Sequence, residues 1–306
     1  MKYITSFFLI QIIFLLACNN FKEESSAFSK SNIDSLTQMN DSLNKLLIDK
    51  YSKEQNGDFL RQMNLKRKYE IDRKNINLKK HETHCGKSDF KNIYEYKGEL
   101  GPSRKFVLKN ATPVGAISTT THQNGLNKFC SGTLISENLF LTACHCIDGK
   151  STNDFVVFNY QLGSDRKLEK QYFFKISEVL ELGYDYNIDY AIVRLDGSPG
   201  NQFGYTPVSL YNFQEGESLT IIQHPNGRPK EIEAGHLNKI IDQWITYNDI
   251  DTDHGSSGAG ILNSNGELVG IHTNGGCDPY SSDGENVGVT INKISQFSKV
   301  IMNIIK

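Results

Sequence analysis

The sequence predicts a mainly β, antiparallel domain over residues 106–306, behind a helical, basic extension over 19–105 and an export signal over 1–18. Three observations predict this. From about residue 106 short apolar runs are split by Gly, Asn and Asp, the rhythm of an all-β sandwich or barrel. Residues 31–80 carry no proline, a single glycine at Gly57, and apolar positions at three-and-four spacing. The amino terminus places a lysine ahead of a mostly apolar stretch. With 306 residues the chain can bury a large core without metal or dense cross-linking.

Taken in order, Met1-Lys2-Tyr3 is followed by a mostly apolar run from Ile4 to Ala17 and then Cys18, the layout of a secretory signal. A spanning helix needs about 20 apolar residues, which this run lacks. Leu15-Leu16-Ala17-Cys18 resembles the bacterial lipobox, with Leu16 a departure from the commonest choice. That resemblance implies cleavage before Cys18, lipidation of Cys18, and a lipid anchor at the outer membrane or cell surface. The alternative is a plain signal peptide and a periplasmic or secreted protein. Phe21-Lys22-Glu23-Glu24 also resembles, weakly, the tether signal of some surface lipoproteins.

In the extension, Ile33, Leu36, Met39, Leu43, Leu46 and Leu47 mark an amphipathic helix. Arg61 to Lys80 are rich in Lys and Arg, which reads as a solvated helix face, a stalk or a propeptide. Residues 19–110 hold 19 basic against 13 acidic residues, and residues 111–306 hold 13 against 22. The whole chain is near neutral at −2, so no global charge draws it to nucleic acid. His81, His84 and Cys85 lack a fourth partner at metal-ligand spacing, and no metal or organic cofactor is expected.

In the second part the apolar runs are Val114 to Ile117, Gly132 to Ile135, Leu139 to Thr142, Phe155 to Phe158, Ala191 to Leu195, Leu219 to Ile222, Gly260 to Leu262 and Leu268 to His272. Ile291, Ile294, Phe297, Ile301 and Ile304 then recur at helical spacing and predict a closing C-terminal helix.

Three segments within this part each offer one member of a nucleophilic relay. The first runs from Cys130-Ser-Gly through Leu-Thr-Ala-Cys-His145-Cys146, the second is Asn187-Ile-Asp189-Tyr-Ala-Ile-Val-Arg-Leu195, and the third is Asp251-Thr-Asp-His-Gly255-Ser-Ser257-Gly-Ala-Gly260. Imidazole titrates near neutrality, so it can take and return the proton of a serine hydroxyl; a carboxylate can hold its tautomer. Asp185 competes with Asp189 for the carboxylate role, but the apolar strand begins directly after Asp189.

These motifs resemble the trypsin-like serine peptidases, with the glutamyl endopeptidase branch closest in pattern. The order His, Asp, Ser follows the chymotrypsin order and not that of subtilisin or the α/β-hydrolases. The resemblance implies a two-barrel chymotrypsin-like fold and a serine endopeptidase acting on protein or peptide through an acyl-enzyme. It implies His145, Asp189 and Ser257 as catalytic residues and the N–H groups of Gly255 and Ser257 as oxyanion hole. Cys130 and Cys146 match the family's disulfide around the histidine, Cys85 with Cys277 is a second candidate pair, and Cys144, where the family usually has a second Ala, is the candidate free thiol. Ala259 and Gly260 depart from the family pattern, and Ser256 stands where zymogens of this family carry an Asp. The departures at Ala259 and Gly260 keep a catalytically silent binding protein open as an alternative.

Specificity gives opposed signals. By resemblance Thr252 and His272 match residues that receive a substrate carboxylate, whereas Asp251 matches the acidic base of a pocket for Arg or Lys. Cleavage after Glu is favoured by two positions against one. Ile222-Gln-His-Pro-Asn-Gly-Arg-Pro-Lys230 resembles a loop of the same branch. Residues 19–105 resemble no family, and the sequence does not state an oligomeric state.

Overall fold

The computed structural model describes residues 84–122, 127–147, 151–186, 188–278 and 284–305, all within the unit formed by residues 64–306. Cys18, the expected helical stretch and His81 lie outside the described residues.

Six strands close a barrel in the order β2 (Val114–Ser118), β3 (Lys128–Leu134), β4 (Leu139–Thr142), β7 (Ala191–Leu195), β6 (Tyr172–Leu182), β5 (Phe155–Phe158). Every pairing is antiparallel, and β5 returns to β2 through Ala116 and Val157. Inward residues such as Ile117, Phe140, Val156, Phe158 and Val193 fill it. Phe158 packs edge-on against Phe140 at 6.1 Å and stacks on Phe203 at 5.0 Å.

A second sheet runs β1 (Lys91–Asn92), β9 (Glu231–His236), β8 (Ser218–Gln223), β12 (Gly260–Leu262), β13 (Leu268–Asn274), β14 (Asn286–Thr290), β11 (Trp244–Tyr247), β10 (Lys239–Ile241). This half-barrel sheet, with β1 and β10 at its edges, stands where the second of the two expected barrels would be. Its own core gathers Leu219, Ile221, Ile245, Tyr247, Ala259 and Ile261. A further cluster joins barrel to sheet, from Leu141 and Ile192 to Leu268, Ile271 and Val289. The architecture is mainly β, a closed barrel beside a half-barrel sheet, with few helices.

Residues ahead of position 106 are part of this body. Lys91–Asn92 pair with Ile232 and Glu231, and Ile93 and Tyr96 are buried with Val107, Val114 and Ile222. Helix α1 (Arg104–Ala111) starts at Ser103, whose hydroxyl accepts the Phe106 N–H. Helix α2 (Gly200–Phe203) is one turn. The expected closing helix is two short ones, α3 (Ile291–Ser295) and α4 (Lys299–Ile304). Ser298 divides them: its hydroxyl accepts the Ile301 N–H, so the chain restarts there with a fresh N-cap. Among the described residues no helix is long and apolar enough to cross a membrane.

Candidate active site

Strand pairing explains how residues 44 apart in sequence meet. Thr142 ends β4 opposite Ala191, which starts β7, so the segment leaving β4 and the segment entering β7 emerge at one end of the barrel. His145 sits on the 3-10 turn Cys144–Cys146 after β4, and Asp189 lies two residues before β7. Asp189 is fully buried and meets His145 twice: the backbone N–H donates to Oδ1 at 3.0 Å, and Nδ1 lies 2.7 Å from Oδ2. An ionised carboxylate only accepts, so Nδ1 carries the proton and the neutral ring keeps Nε2 as acceptor. That nitrogen lies 2.7 Å from Ser257 Oγ. Asp185, the competing carboxylate, has a side chain outside the described residues.

Ser257 comes from the loop before β12, and β3 ties that loop to the barrel. Ser131 N–H donates to the Ser257 carbonyl at 2.9 Å, and Ser131 Oγ donates to the Gly255 carbonyl at 2.7 Å. The same hydroxyl accepts the His224 N–H at 2.9 Å, so the 222–230 loop is pinned to the loop that carries Ser257. Gly255 has φ +92°, and a Cβ there would stand 2.6 Å from the His224 carbonyl oxygen. Gly258, at φ +83°, could not carry a side chain either, because a Cβ would meet Thr142 Oγ1 at 2.2 Å. Ser256 closes the loop on itself: its hydroxyl accepts the Asp253 N–H and its N–H donates to the Asp253 carbonyl, both at 2.9 Å.

The Cys130–Cys146 disulfide joins β3 to the residue after His145, and a second disulfide joins Cys85 to Cys277. Two disulfides suit an oxidising compartment outside the cytoplasm. Cys144 is the free cysteine among the described residues, packed with Tyr184. Burial, and then the negative charge of Asp189, push its thiol well above the usual range, which leaves it unreactive.

The three expected pocket residues are all buried. His272 runs beside the segment that follows Ser257, its N–H donating to the Ala259 carbonyl while its carbonyl accepts the Gly258 N–H, both at 2.8 Å. Its Nδ1 lies 2.5 Å from the Tyr247 hydroxyl. If the tyrosine donates, the neutral ring carries its proton on Nε2 and presents a donor there. The Thr252 hydroxyl has no hydrogen-bond partner among the described residues. Asp251 faces elsewhere: Oδ1 accepts the Cys85 N–H at 2.7 Å and Oδ2 the Asp89 N–H at 3.1 Å.

Oxygens of Asp89, Glu233 and Asp251 lie within 4.8 Å of one another, a grouping with the donor chemistry for a cation. Protonation relieves it without one: burial, then the Asp89 and Asp251 charges, push the Glu233 carboxyl up to about 10. His224 is driven the other way, down to about 3, by burial and by the neighbouring Lys230 charge, so the ring stacked on Tyr160 is neutral. Ser131, Tyr247 and the 84–89 segment were not singled out as site residues from sequence. Ser131 lies inside the quoted histidine motif, and nothing local marks the other two.

Residues 130–271 match the trypsin-like peptidase domain family. This stretch of the chain is similar to the trypsin-like peptidases. Relatives of this domain include exfoliative toxin A of Staphylococcus aureus, 28% identical over 157 residues that cover 47% of this chain and 55% of the toxin. Glutamyl endopeptidase of Staphylococcus epidermidis is 26% identical over 164 residues, covering 50% of this chain and 56% of that protein. The chain spans about half the length, or less, of the curated relatives it matches. A solved Glu endopeptidase structure in complex with MPD aligns with 72% of this chain and 95% of its own, at 17% identity and a TM-score of 0.49.

Proposed function

We propose that the chain is an exported serine endopeptidase that cleaves protein or peptide substrates after Glu. The observation that carries this reading is the line Asp189–His145–Ser257, with 2.7 Å between each successive pair of side-chain atoms. Ser257 Oγ attacks the scissile carbonyl as His145 Nε2 takes its proton, giving an acyl-enzyme. The imidazolium returns the proton to the leaving amine; water then attacks the ester by the same relay. Asp189, already donated to by the backbone and ring of His145, stabilises the imidazolium. The N–H groups of Gly255 and Ser257 serve as the oxyanion hole, on a loop whose Gly255 carbonyl is held by Ser131.

Preference for Glu is supported by His272, through Nε2–H when Tyr247 donates to Nδ1, and by the Thr252 hydroxyl. Asp251, occupied with two N–H groups, does not offer its carboxylate to an Arg or Lys side chain. The lipobox-like junction adds an acylated Cys18 as membrane anchor, and detergent partitioning that disappears in Cys18→Ser checks it.

A fluorophosphonate probe tests the activity, since labelling requires an activated serine. The full-length protein labels and Ser257→Ala does not, and a peptide library returns Glu before the cut. Labelling that persists in Ser257→Ala would defeat the assignment, and a library dominated by Arg or Lys would reverse the specificity.

A further inference from the structure

Residues 84–92 form a second constellation around Asp251, apart from the His145–Ser257 line. Asp251 is buried, and both its carboxylate oxygens are taken by N–H groups of this segment, from Cys85 and Asp89. Four further ties hold the segment down. Cys85 is bonded to Cys277, the Gly86 N–H donates to the Asp278 carbonyl at 3.3 Å, and His84 Nε2 lies 3.1 Å from Asp253 Oδ2. Lys91–Asn92 complete the set by pairing with β9. Asp253 stands in the loop leading into Ser257, and Cys277 follows β13, the strand of His272. The Asp251 main chain is held separately, its carbonyl accepting from Gln223 Nε2 at 2.9 Å, so the direction of the carboxylate is a matter of side-chain rotation.

We propose that residues 84–89 are a specificity strap, in which the N–H groups of Cys85 and Asp89 hold the Asp251 carboxylate away from the substrate side chain and thereby permit cleavage after an acidic residue. The inference rests on the acyl-transfer and Glu-preference reading given above. Cys85 and Asp89 act through Asp251 and are positioning residues. Charge-assisted hydrogen bonds from backbone N–H groups satisfy an anion in place. The Asp89 carboxylate lies beside it, with its oxygen within 4.8 Å, so a carboxylate that loses its N–H donors is repelled by that charge from the strap side. A carboxylate turned toward the substrate repels Glu and attracts Lys or Arg. The disulfide gives this arrangement a consequence for processing. A backbone cut between residues 92 and 105 leaves residue 85 attached through Cys277, so the strap stays with the domain.

The test uses full-length protein and matched peptides with Glu, Gln or Lys before the scissile bond, with fluorophosphonate labelling in parallel. In Cys85→Ser/Cys277→Ser the Glu-over-Gln ratio of kcat/KM falls about tenfold and the Lys rate rises. Adding Asp251→Asn to that background returns the ratio to within about threefold of wild type, a rescue that mere loosening of the fold would not give. Asp89→Pro deletes one N–H donor and keeps the disulfide, and moves the ratio the same way by about threefold. A wild-type ratio in the labelled double variant and in labelled Asp89→Pro overturns the strap. So does a fallen ratio that Asp251→Asn fails to restore. Wild-type protein that does not label at all removes the parent reading, and is seen before any ratio is taken.

Discussion

Ser131 and Gly255, 124 residues apart, are joined by a 2.7 Å hydrogen bond from the serine hydroxyl to the glycine carbonyl. The hydroxyl also accepts the His224 N–H, so one barrel residue sets the peptide that leads into Ser257. Ser131→Ala leaves a buried N–H and a buried C=O unsatisfied, costing about 1–3 kcal/mol each. Because that peptide adjoins the proposed oxyanion donors, kcat is expected to fall at least about tenfold while KM moves little. Steady-state kinetics beside a melting curve separate the two effects. An unchanged kcat would mean that the rest of the loop suffices to orient the peptide.

Asp189→Asn keeps the shape of the side chain and changes its chemistry. The amide can donate to Nδ1, which moves the ring proton to Nε2 and removes the acceptor facing Ser257. The expected drop in kcat is about ten-thousandfold. Titrating the residual activity against pH is the check, and a loss of less than about tenfold would point to another carboxylate as the orienting group.

The Cys130–Cys146 bridge spans a separation of 16 residues and anchors the turn that carries His145. Cys130→Ser/Cys146→Ser is expected to lose about 3 kcal/mol in urea unfolding, by the chain-entropy account. Activity of the folded fraction should fall as well, since the bridge joins the His145 turn to β3.

Glu233 gives the body a pH signature. Its folded-state carboxyl sits near 10 against an ordinary value of 4.5, so between these values the folded protein keeps a proton that the unfolded chain releases. Stability on this account falls as pH rises through that window. Lys230, lowered to about 7 by burial against an ordinary 10.5, works in the opposite sense, gaining stability as pH rises between those values. The difference in Tm between Glu233→Gln and wild type isolates the carboxyl: the variant is the more stable, and its lead widens from pH 5 to pH 8. A lead that stays constant across that range would show that Glu233 is ionised in the folded protein.

The contact of Tyr247 with His272 bears on selectivity. His272→Ala is expected to abolish the preference for Glu over Gln while leaving fluorophosphonate labelling intact. Tyr247→Phe removes the hydroxyl at Nδ1 and should lower kcat/KM for Glu peptides about tenfold with less effect on Gln peptides. Equal losses on both would assign Tyr247 to packing, where its fully buried ring also belongs.

Apolar texture alone located β2, β4, β5, β7, β8, β12 and β13 to within a residue or two, because these strands bury both faces or an unbroken apolar one. It passed over β9, whose Glu231 and Glu233 break the apolar pattern. Glu233 is buried there beside Asp89 and Asp251, groups distant in sequence that raise its carboxyl pKa together with burial. Strand β6 escaped for a related reason: much of it is only half-buried, so its sequence alternates poorly.

By itself the sequence pointed to His145, Asp189 and Ser257 through the order and flanks of three local motifs, and the structure brings their side chains to 2.7 Å from one another in turn. It also offered Cys144 as the candidate free thiol, and among the described residues that cysteine is the unpaired one. Only the tertiary structure decided where Asp251 points, that Ser131 holds Gly255, and that residues ahead of 106 belong to the folded body. Motifs arise from contacts between near neighbours in the chain. The direction of a buried carboxylate depends on which donors reach it, and those of Asp251 come from residues more than 160 positions away.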